Sequence, residues 1–530
     1  MGFWNRRQQM GWAALIMGGS ILLSRFMGLV RDKTISYFFG ASKESDLYFA
    51  AFVVPDFINY LLAGAYFSIT LIPLLAAYFD EDEQEGWRFF SAVFTWITIV
   101  ISILTGLAMV LAPQLARIAA PGLDHEATLR LASFLRIILP AQICFLLGSC
   151  LSAILYLRRQ FTAPALTPLI YNVLIILGGV LLRHHGIVGF CWGVLAGALL
   201  GNLLLPYVAV RKGGGLRLRF CLYHPGLKRF VLLALPLMLG QSIVVLDEQL
   251  VRVFGSLAAV GAISWLSYAR RIMLVPVGVV AQAAGVASFP FLAELFAKKD
   301  DLQFHKTLNS ALKGVLTLLI PLSAWMIIVA QPTITLIFQQ GHFGSADTQA
   351  TSVLLQILLL VVFCWGFQQV LGRGFYARQD TLTPAVIGTI VLIFSIPFYT
   401  VLTRKFHALG VAFASAGSIA AYTAALAGWW RYRLGRSAFV DLWRHALKML
   451  AISLAAGAPA ALTVNFASTF CAEKVYLSAF CAIMASGLAF ALIFLLLGTC
   501  FIPTQLEPVL KKLGPPGRWL VRFVPSARQG

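Results

Sequence analysis

Charged residues are scarce in this chain, and their scarcity excludes most kinds of soluble protein. Of its 530 residues, 12% are Asp, Glu, Lys or Arg, whereas 59% are hydrophobic. Soluble domains carry about 25% charged and 45–50% apolar residues. The composition therefore excludes a soluble enzyme and a disordered chain, and it favours a polytopic, all-α membrane protein. Outer-membrane barrels are excluded as well, because their strands alternate apolar and polar residues and contain no long apolar runs.

The sequence also lacks the short motifs that carry catalytic or metal chemistry. None of its eight cysteines belongs to a C-x-x-C pair, and most lie in apolar runs, where they serve as small packing residues. No G-x-S-x-G, H-E-x-x-H or Walker pattern occurs. The loops lack the paired carboxylates that a membrane glycosyltransferase or hydrolase needs. We therefore predict no catalytic residue, no metal site, no bound cofactor and a function other than catalysis.

Acidic residues are outnumbered by basic ones, 21 against 41, which gives a formal charge of +20. In a soluble chain this excess suggests nucleic-acid binding. Here the basic residues concentrate in every second loop between apolar spans and in the C-terminal tail, the pattern of cytoplasmic loops. We therefore predict no nucleic-acid partner and a multi-pass protein of the bacterial inner membrane with both termini in the cytoplasm. The acidic loop 80–85 lies on the same side, but acidic residues count little in this rule.

Apolar windows long enough to cross a bilayer, about 20 residues each, set the number of helices. They predict fourteen transmembrane spans, near residues 12–31, 47–78, 88–112, 130–157, 162–183, 187–210, 229–254, 260–296, 307–338, 348–377, 382–403, 407–430, 445–468 and 475–502.

Two short patterns recur at nearly one offset and indicate an internal duplication. Tyr156-x-Arg158 with a following Pro-Ala recurs 220 residues later as Tyr376-x-Arg378, and the pattern P-x-L-A-x-x-F at 73–79 recurs at 290–296. Both copies fall on the same membrane side, so the repeat is parallel with a pseudo-two-fold axis along the membrane normal. We predict a lobe of helices 1–6 over 1–211, a lobe of helices 7–12 over 212–440, two more helices over 441–505 and a basic cytoplasmic tail over 506–530.

Charges inside spans cost at least about 2.5–3.5 kcal/mol each on insertion scales, so they mark functional candidates. At 100° per residue, one sector of about 120° on helix 1 holds several polar positions, namely Ser24, Arg25, Gly28, Arg31 and Asp32. Paired arginines suit a phosphate or pyrophosphate, because guanidinium binds it bidentately and stays protonated. The alternative is that Arg31 and Lys33 snorkel to the outer interface, and that Asp32 and Asp46 merely neutralise their neighbours.

Helices 2 and 8 carry polar faces of the same kind. Asp46 stands at the entry of helix 2, and Asp56, Asn59 and Tyr60 share a stripe on that helix. On helix 8 a narrow sector holds Ser264, Tyr268 and Arg271, whereas Arg270 points away from it. We interpret these faces as the lining of a cationic, water-filled cavity.

Helix 7 places an acidic pair deep in an apolar run. Asp247 is a candidate to bind a coupling cation or accept a proton, because intramembrane carboxylates often serve those roles. The alternative is a structural i,i+4 pair between Glu248 and Arg252. The sequence leaves both hypotheses open.

Several of these residues stand in motifs that resemble the MurJ (MviN) family. The motifs are SRFMGLVRD at 24–32, FGA at 39–41, APG at 120–122, S-W-x-x-Y-A-x-R at 264–271 and GFYARQDT-x-TP at 374–384. The resemblance implies a lipid II flippase of the multidrug/oligosaccharidyl-lipid/polysaccharide exporter superfamily. It implies fourteen helices in two lobes of six plus two, and movement of undecaprenyl-pyrophosphate-linked peptidoglycan precursor from the inner to the outer leaflet by alternating access.

The resemblance also implies site residues and partners. The family's cavity arginines carry over to Arg25, Arg31 and Arg271, its aspartate before helix 2 carries over to Asp46, and its last two helices form a groove for the lipid tail. Implied partners are lipid II or a related polyprenyl-pyrophosphate saccharide, membrane lipids and the cell-wall synthesis machinery. Independently of the resemblance, we expect the membrane potential or a monovalent cation at Asp247 to drive the cycle, because moving one charge is worth about 2.3 kcal/mol per 100 mV.

This chain departs from the family pattern at a few positions that bear on substrate choice. Asn59 stands where relatives can have Arg, Gly64-Ala65 replaces a Glu-Gly pair, and Arg270 replaces an Asp. These departures leave open a flippase for another polyprenyl-linked oligosaccharide, such as an O-antigen or exopolysaccharide carrier. Two more distant alternatives are a cation-coupled exporter of small molecules and a membrane scaffold that binds lipid-linked sugar without moving it.

Overall fold

The fold is built from α-helices, and the described part of the chain contains no β-strand. The computed structural model describes residues 10–63, 66–213, 216–239, 242–434, 439–470 and 474–501. The helices are α1 (Met10–Phe39), α2 (Lys43–Ala50), α3 (Val53–Ala63), α4 (Tyr66–Glu81), α5 (Glu83–Val110), α6 (Ala112–Ala119), α7 (His125–Ile138), α8 (Ala141–Leu157), α9 (Thr162–Leu181), α10 (Val188–Gly197), α11 (Leu205–Lys212), α12 (Pro225–Leu239), α13 (Ser242–Gly255), α14 (Ala262–Pro276), α15 (Gln282–Ala297), α16 (Asp301–Ile328), α17 (Ala330–Phe338), α18 (Ser345–Leu359), α19 (Val362–Ala377), α20 (Leu382–Leu434), α21 (Val440–Phe470) and α22 (Val475–Phe501).

Every predicted span coincides with one helix or with consecutive helices, and the all-α membrane fold is confirmed. Within the described ranges, nine helices are long and apolar enough to cross a membrane, or ten if α18 and α19, bent by 43°, form one span. Helix α20 covers two predicted spans, separated by a kink at His407 with φ 51°. Within the predicted second span, α2 ends at Ala50 and α3 begins at Val53. The basic tail over 506–530 and the Gly64-Ala65 departure lie outside the described residues.

The ends of α8 and α19 share one geometry and support the internal repeat. Helix α8 is followed by Arg159 with φ 58°, and α19 by Gln379 with φ 59°. In both, the next residue donates its N–H to the carbonyl five positions back, from Gln160 to Leu155 at 2.8 Å and from Asp380 to Phe375 at 3.0 Å. This left-handed closure of the last turn is the Schellman motif. The Tyr-x-Arg pattern therefore encodes the same helix end twice.

Packing divides the chain into two compact units, each described by itself. The first comprises Met1–Ser264, Gln340–Phe343 and Thr403–Ala408, and the second comprises Trp265–Gln339, Gly344–Leu402 and Leu409–Gly530. In the first, buried residues of α4, α5 and α8 such as Leu75, Phe90 and Ile154 form the core. In the second, α16 packs against α19 and α21, and α21 packs against α22. The lobe boundary at residue 211 stays a prediction, since this division follows packing and not the repeat.

Candidate functional site

The polar face of α1 is organised around Arg31. Its Nε and Nη2 donate to one oxygen of Asp32, at 3.0 and 2.8 Å, and its Nη1 donates to Asn172 Oδ1 on α9 at 3.3 Å. The Asn172 side chain in turn donates to Ser24 Oγ at 3.5 Å. Asp32 is buried, and the side chain of Arg31 is 14% exposed. Arg31 is therefore held inward by α9, which disfavours the hypothesis that it snorkels away from the protein.

Asn172 is a member of this network that the sequence analysis missed. It is a single amide within the apolar span of α9, and its Nδ2 also donates to the carbonyl of Pro168 at 2.9 Å. A buried amide in an apolar helix needs polar partners, because an unsatisfied group there is costly. The same rule applied to the apolar span of α9 singles out Asn172 as a polar candidate.

Arg25 lies on an exposed part of α1, and Gly28 between the two arginines is buried. The polar face thus holds two guanidinium groups against the single carboxylate of Asp32. An excess of arginine over carboxylate is the composition that binds a phosphate group. The structure places the predicted residues Ser24, Arg25 and Arg31 on this helix, and it joins Ser24 to Arg31 through Asn172.

Asp46, a predicted substrate contact, accepts hydrogen bonds from the start of α14. Its carboxylate accepts the backbone N–H of Gly261 at 2.6 Å, and it accepts both the N–H and the hydroxyl of Ser264, at 2.8 and 2.6 Å. The residue is 4% exposed. These donors belong to the start of α14, whose free N–H groups attract an anion. In this conformation Asp46 is therefore the N-terminal cap of α14.

Helices α3 and α13 meet in an acidic cluster. Arg252 donates to Asp56 Oδ2 at 2.8 Å, to Glu248 Oε1 at 2.7 Å and to Gln249 Oε1 at 3.2 Å. The structure thus contains the predicted Glu248–Arg252 pair and extends it to α3. Asp247, on the same turn of α13, is buried at 4% exposure.

Asn59 lies half-buried on α3, one turn after the Asp56 that pairs with Arg252. In the ranges that the structure covers, no group of three or more His, Cys, Asp or Glu side chains could hold a metal ion.

The predicted residues Tyr268 and Arg271 of helix 8 lie in the second compact unit. Tyr268 is fully buried, with its ring centroid 4.8 Å from that of Phe338, whereas Arg271 is exposed. Arg270 is buried at 4% exposure, and its guanidinium lies 5.6 Å from the centroid of the Trp365 ring. Tyr268 and Arg271 therefore share a sector but differ in environment. Their roles as substrate contacts stay predictions.

The loops near the ends of α1 and α2 in the first unit are tied by polar contacts. Lys43 Nζ lies 2.7 Å from Asp124 Oδ2, and Glu44 Oε2 lies 2.8 Å from Arg130 Nη2. The Lys43 ammonium lowers the pKa of Asp124, and the carboxylate raises the pKa of Lys43. Gly122 lies so close to the backbone of Ser256 that a Cβ atom would clash with it. This contact explains the glycine in the motif at 120–122.

Comparisons with known proteins agree over most of the chain. A family model described as lipid II flippase MurJ matches residues 35–485. A probable lipid II flippase MurJ of Buchnera aphidicola subsp. Acyrthosiphon pisum is 28% identical over 398 residues, covering 74% of this chain and 78% of that protein. Lipid II flippase MurJ of Burkholderia cenocepacia is 28% identical over 395 residues, covering 72% and 76%.

Solved structures show the same likeness. A structure of lipid II flippase MurJ in an inward closed conformation superimposes with a TM-score of 0.75 at 25% identity, covering 92% of this chain and 100% of that one. An inward-facing multidrug resistance MATE family transporter of the MOP superfamily has a TM-score of 0.64 at 14% identity, covering 79% and 98%. At that identity the second match shows the fold alone.

Proposed function

The chain belongs to the MurJ family of lipid II flippases, and we propose that it moves lipid II from the inner to the outer leaflet by alternating access. The family is one of transporters and not of enzymes, so the substrate leaves chemically unchanged. The observation that carries the proposal is the family match over residues 35–485, which spans residues of both compact units.

We propose that the α1 arginines bind the pyrophosphate of the substrate. Arg31 is fixed in direction by Asp32 and Asn172, so it is oriented before the ligand arrives. Arg25 is exposed on the same helix and supplies the second guanidinium. Arg271, exposed on α14, is the third predicted contact. The network of α1 and α9 supports the role of Arg31, and the resemblance to relatives supports those of Arg25 and Arg271.

We further propose that transport is coupled to a monovalent cation or to the membrane potential. Asp56 and Glu248 pair with Arg252 between α3 and α13, and the buried Asp247 stands beside Glu248 on α13. A carboxylate inside a membrane span often binds a coupling cation or accepts a proton, which makes Asp247 our candidate for that role. Moving one charge through the membrane potential is worth about 2.3 kcal/mol per 100 mV, which is enough to bias the carrier cycle.

The remaining parts of the proposal concern the lipid tail and the membrane. We propose that α21 and α22 form the groove for the isoprenoid chain, because both helices expose large apolar side chains such as Leu462, Phe466 and Leu488. The basic loops support an inner-membrane location with both termini in the cytoplasm. The cell-wall synthesis machinery is the expected partner, since it consumes the flipped precursor.

A second candidate is a flippase for another polyprenyl-linked oligosaccharide. It is favoured by Asn59 and Arg270, which differ from the residues that relatives carry at those positions. The structure places Arg270 under Trp365 and away from solvent. The pyrophosphate contacts would be the same for both substrates, so the two functions differ only in which saccharide the protein accepts.

Proteoliposomes that contain the purified chain and labelled lipid II test the pyrophosphate contacts. We expect Arg25→Ala and Arg271→Ala each to lower the rate of outward lipid II movement about a hundredfold, because each removes charge-assisted bonds to the pyrophosphate. Arg183→Ala, an exposed arginine in the segment between α9 and α10, is the matched control and should leave the rate unchanged. Equal rates for all three variants, with equal protein in the membrane, would overturn the cavity assignment.

A further inference from the structure

An extended segment, residues 216–224, lies along the first half of α5 and is here called the strap. It is attached at three points by hydrogen bonds of its backbone. The N–H of Arg219 donates to Ser91 Oγ at 3.2 Å, the N–H of Cys221 donates to Thr95 Oγ1 at 3.4 Å, and the carbonyl of Leu222 accepts from the Trp96 indole at 2.8 Å. Leu216 and Leu218 pack against the core beneath the strap, whereas the side chains of Arg217 and Arg219 are exposed and take no part in these attachments.

Between the strap and the start of α5 lies a cavity of about 730 Å³, which is within the usual size range of small-molecule sites. Three arginines line it, Arg88, Arg217 and Arg219, against the single carboxylate of Glu85. Glu85 already pairs with Arg88 at 2.6 Å. Among the described residues, neither Arg217 nor Arg219 forms a salt bridge. The cavity therefore carries an excess of positive charge.

A buried imidazole lines the same cavity. His224 is more than nine-tenths buried, and its Nδ1 accepts the backbone N–H of Gly226 at 3.0 Å. The ring proton of the neutral form is therefore on Nε2, which is a donor. Within the described structure Nε2 makes no hydrogen bond, although Glu85 Oε2 lies 3.4 Å away. This buried donor fits an anionic oxygen as its partner.

The outer edge of the cavity is aromatic. Phe220 and Tyr223 both line it and are 78% and 83% exposed, and Leu222 between them is 49% exposed. Aromatic side chains beside arginines at the end of transmembrane helices are typical of the membrane interface. An occupant of this cavity can therefore keep an apolar tail in the bilayer while its anionic head reaches the arginines.

We propose that this cavity is a second phosphate site, in which the lipid-linked diphosphate substrate is held before it reaches α1. This inference rests on the proposed function. The two strap arginines match the charge of a diphosphate. The cavity is also larger than a single phosphate needs, so it has room for the adjoining sugar, whose face can pack on Tyr223. The site lies on the side of the basic loops, where the substrate is loaded.

The double variant Arg217→Gln/Arg219→Gln tests the site in proteoliposomes over a range of lipid II mole fractions. Its strap keeps all three backbone attachments, so the fold is unaffected. The lipid II content that gives half the maximal rate should rise about tenfold because two charge-assisted contacts are lost, while the maximal rate stays unchanged. The matched control is Lys228→Gln/Arg229→Gln, which removes the same charge from exposed positions on α12 outside the cavity lining. It should behave as the wild type.

The outcomes separate this site from the proposed function. A wild-type chain that moves no lipid II contradicts the proposed function itself. An active wild type whose strap variant matches the Lys228/Arg229 control overturns the second site alone. Phosphatidylglycerol and inorganic pyrophosphate serve as competitors. Pyrophosphate should raise the half-saturating lipid II content of the wild type but not of the strap variant, because it competes for a diphosphate site. If phosphatidylglycerol does the same, the cavity is a general phosphate site and its role in loading the substrate is overturned.

Discussion

At the scale of single residues, the site depends on the uncharged amide of Asn172, which orients the guanidinium of Arg31. Among the described residues, Asn172 is the hydrogen-bond partner that holds Arg31 from outside α1, and it also reaches Ser24. The sequence predicted Ser24 and Arg31 because helical periodicity puts them on one face. A lone amide in an apolar span marks Asn172 as a candidate, but its pairing with Arg31 could not be predicted, since nothing in a single sequence says which helix packs against α1.

We predict that Asn172→Asp, the substitution closest in size, weakens lipid II binding more than Asn172→Ala does. Asn172→Asp keeps the size of the side chain but adds a second carboxylate beside Arg31. The new carboxylate and that of Asp32 would then compete together with the substrate's pyrophosphate for the guanidinium. We expect Asn172→Asp to raise the half-saturating lipid II content about tenfold and Asn172→Ala to raise it about threefold. Transport titrations in proteoliposomes measure this.

Thr167→Ala on the same helix is the control for Asn172, because that hydroxyl bonds only to the carbonyl of Ala163 in the described structure. It should transport as the wild type. A larger effect of Asn172→Ala than of Asn172→Asp would show that charge at this position is unimportant.

At the scale of elements, a carboxylate on α2 caps the N-terminus of α14. Asp46 of α2 satisfies N–H groups at the start of α14, a task that the sequence does not reveal because Asp46 and Gly261 are 215 residues apart. The sequence did predict that Asp46 and Ser264 both matter. The substrate role of Asp46 comes from the resemblance to the family and not from the residue pattern. A ligand role in another conformation stays a prediction.

Asp46→Asn should destabilise the protein more than the same change at an exposed cap. The NH₂ group of the new asparagine would face one of the donors whose hydrogen bond Asp46 now accepts. The negative charge of Asp46 at the start of α14 would also be lost. We expect a loss of about 1–3 kcal/mol in unfolding free energy. Asp124, the exposed N-cap of α7, is the control, since Asn caps a helix as well as Asp does.

Thermal unfolding in detergent compares the two variants. Asp46→Asn should lower the Tm by several degrees, at about 2–4 °C per kcal/mol for a large domain, and Asp124→Asn should leave it nearly unchanged. Equal Tm values for both variants would contradict the capping role of Asp46.

At the scale of the whole molecule, hydropathy and loop charge predicted the fold class. Long apolar runs leave few folds other than a helical bundle. The breaks were not predictable: α2 and α3 are separate helices within one predicted span, and α18 and α19 meet at 43°. Such breaks depend on packing within each unit, and the local sequence shows only candidate positions. The duplication stays a prediction, which the matching helix ends after Leu157 and Ala377 support.

The central claim is that this chain transports lipid II, and complementation tests it most directly. The resident lipid II flippase of a bacterial host is depleted, this chain is expressed, and outward exposure of lipid II is followed together with growth. We predict that the chain restores both, with the Arg25→Ala variant expressed to the same level and unable to do so. Absence of outward lipid II with the wild-type chain present in the membrane would contradict the claim and favour another polyprenyl-linked saccharide as the substrate.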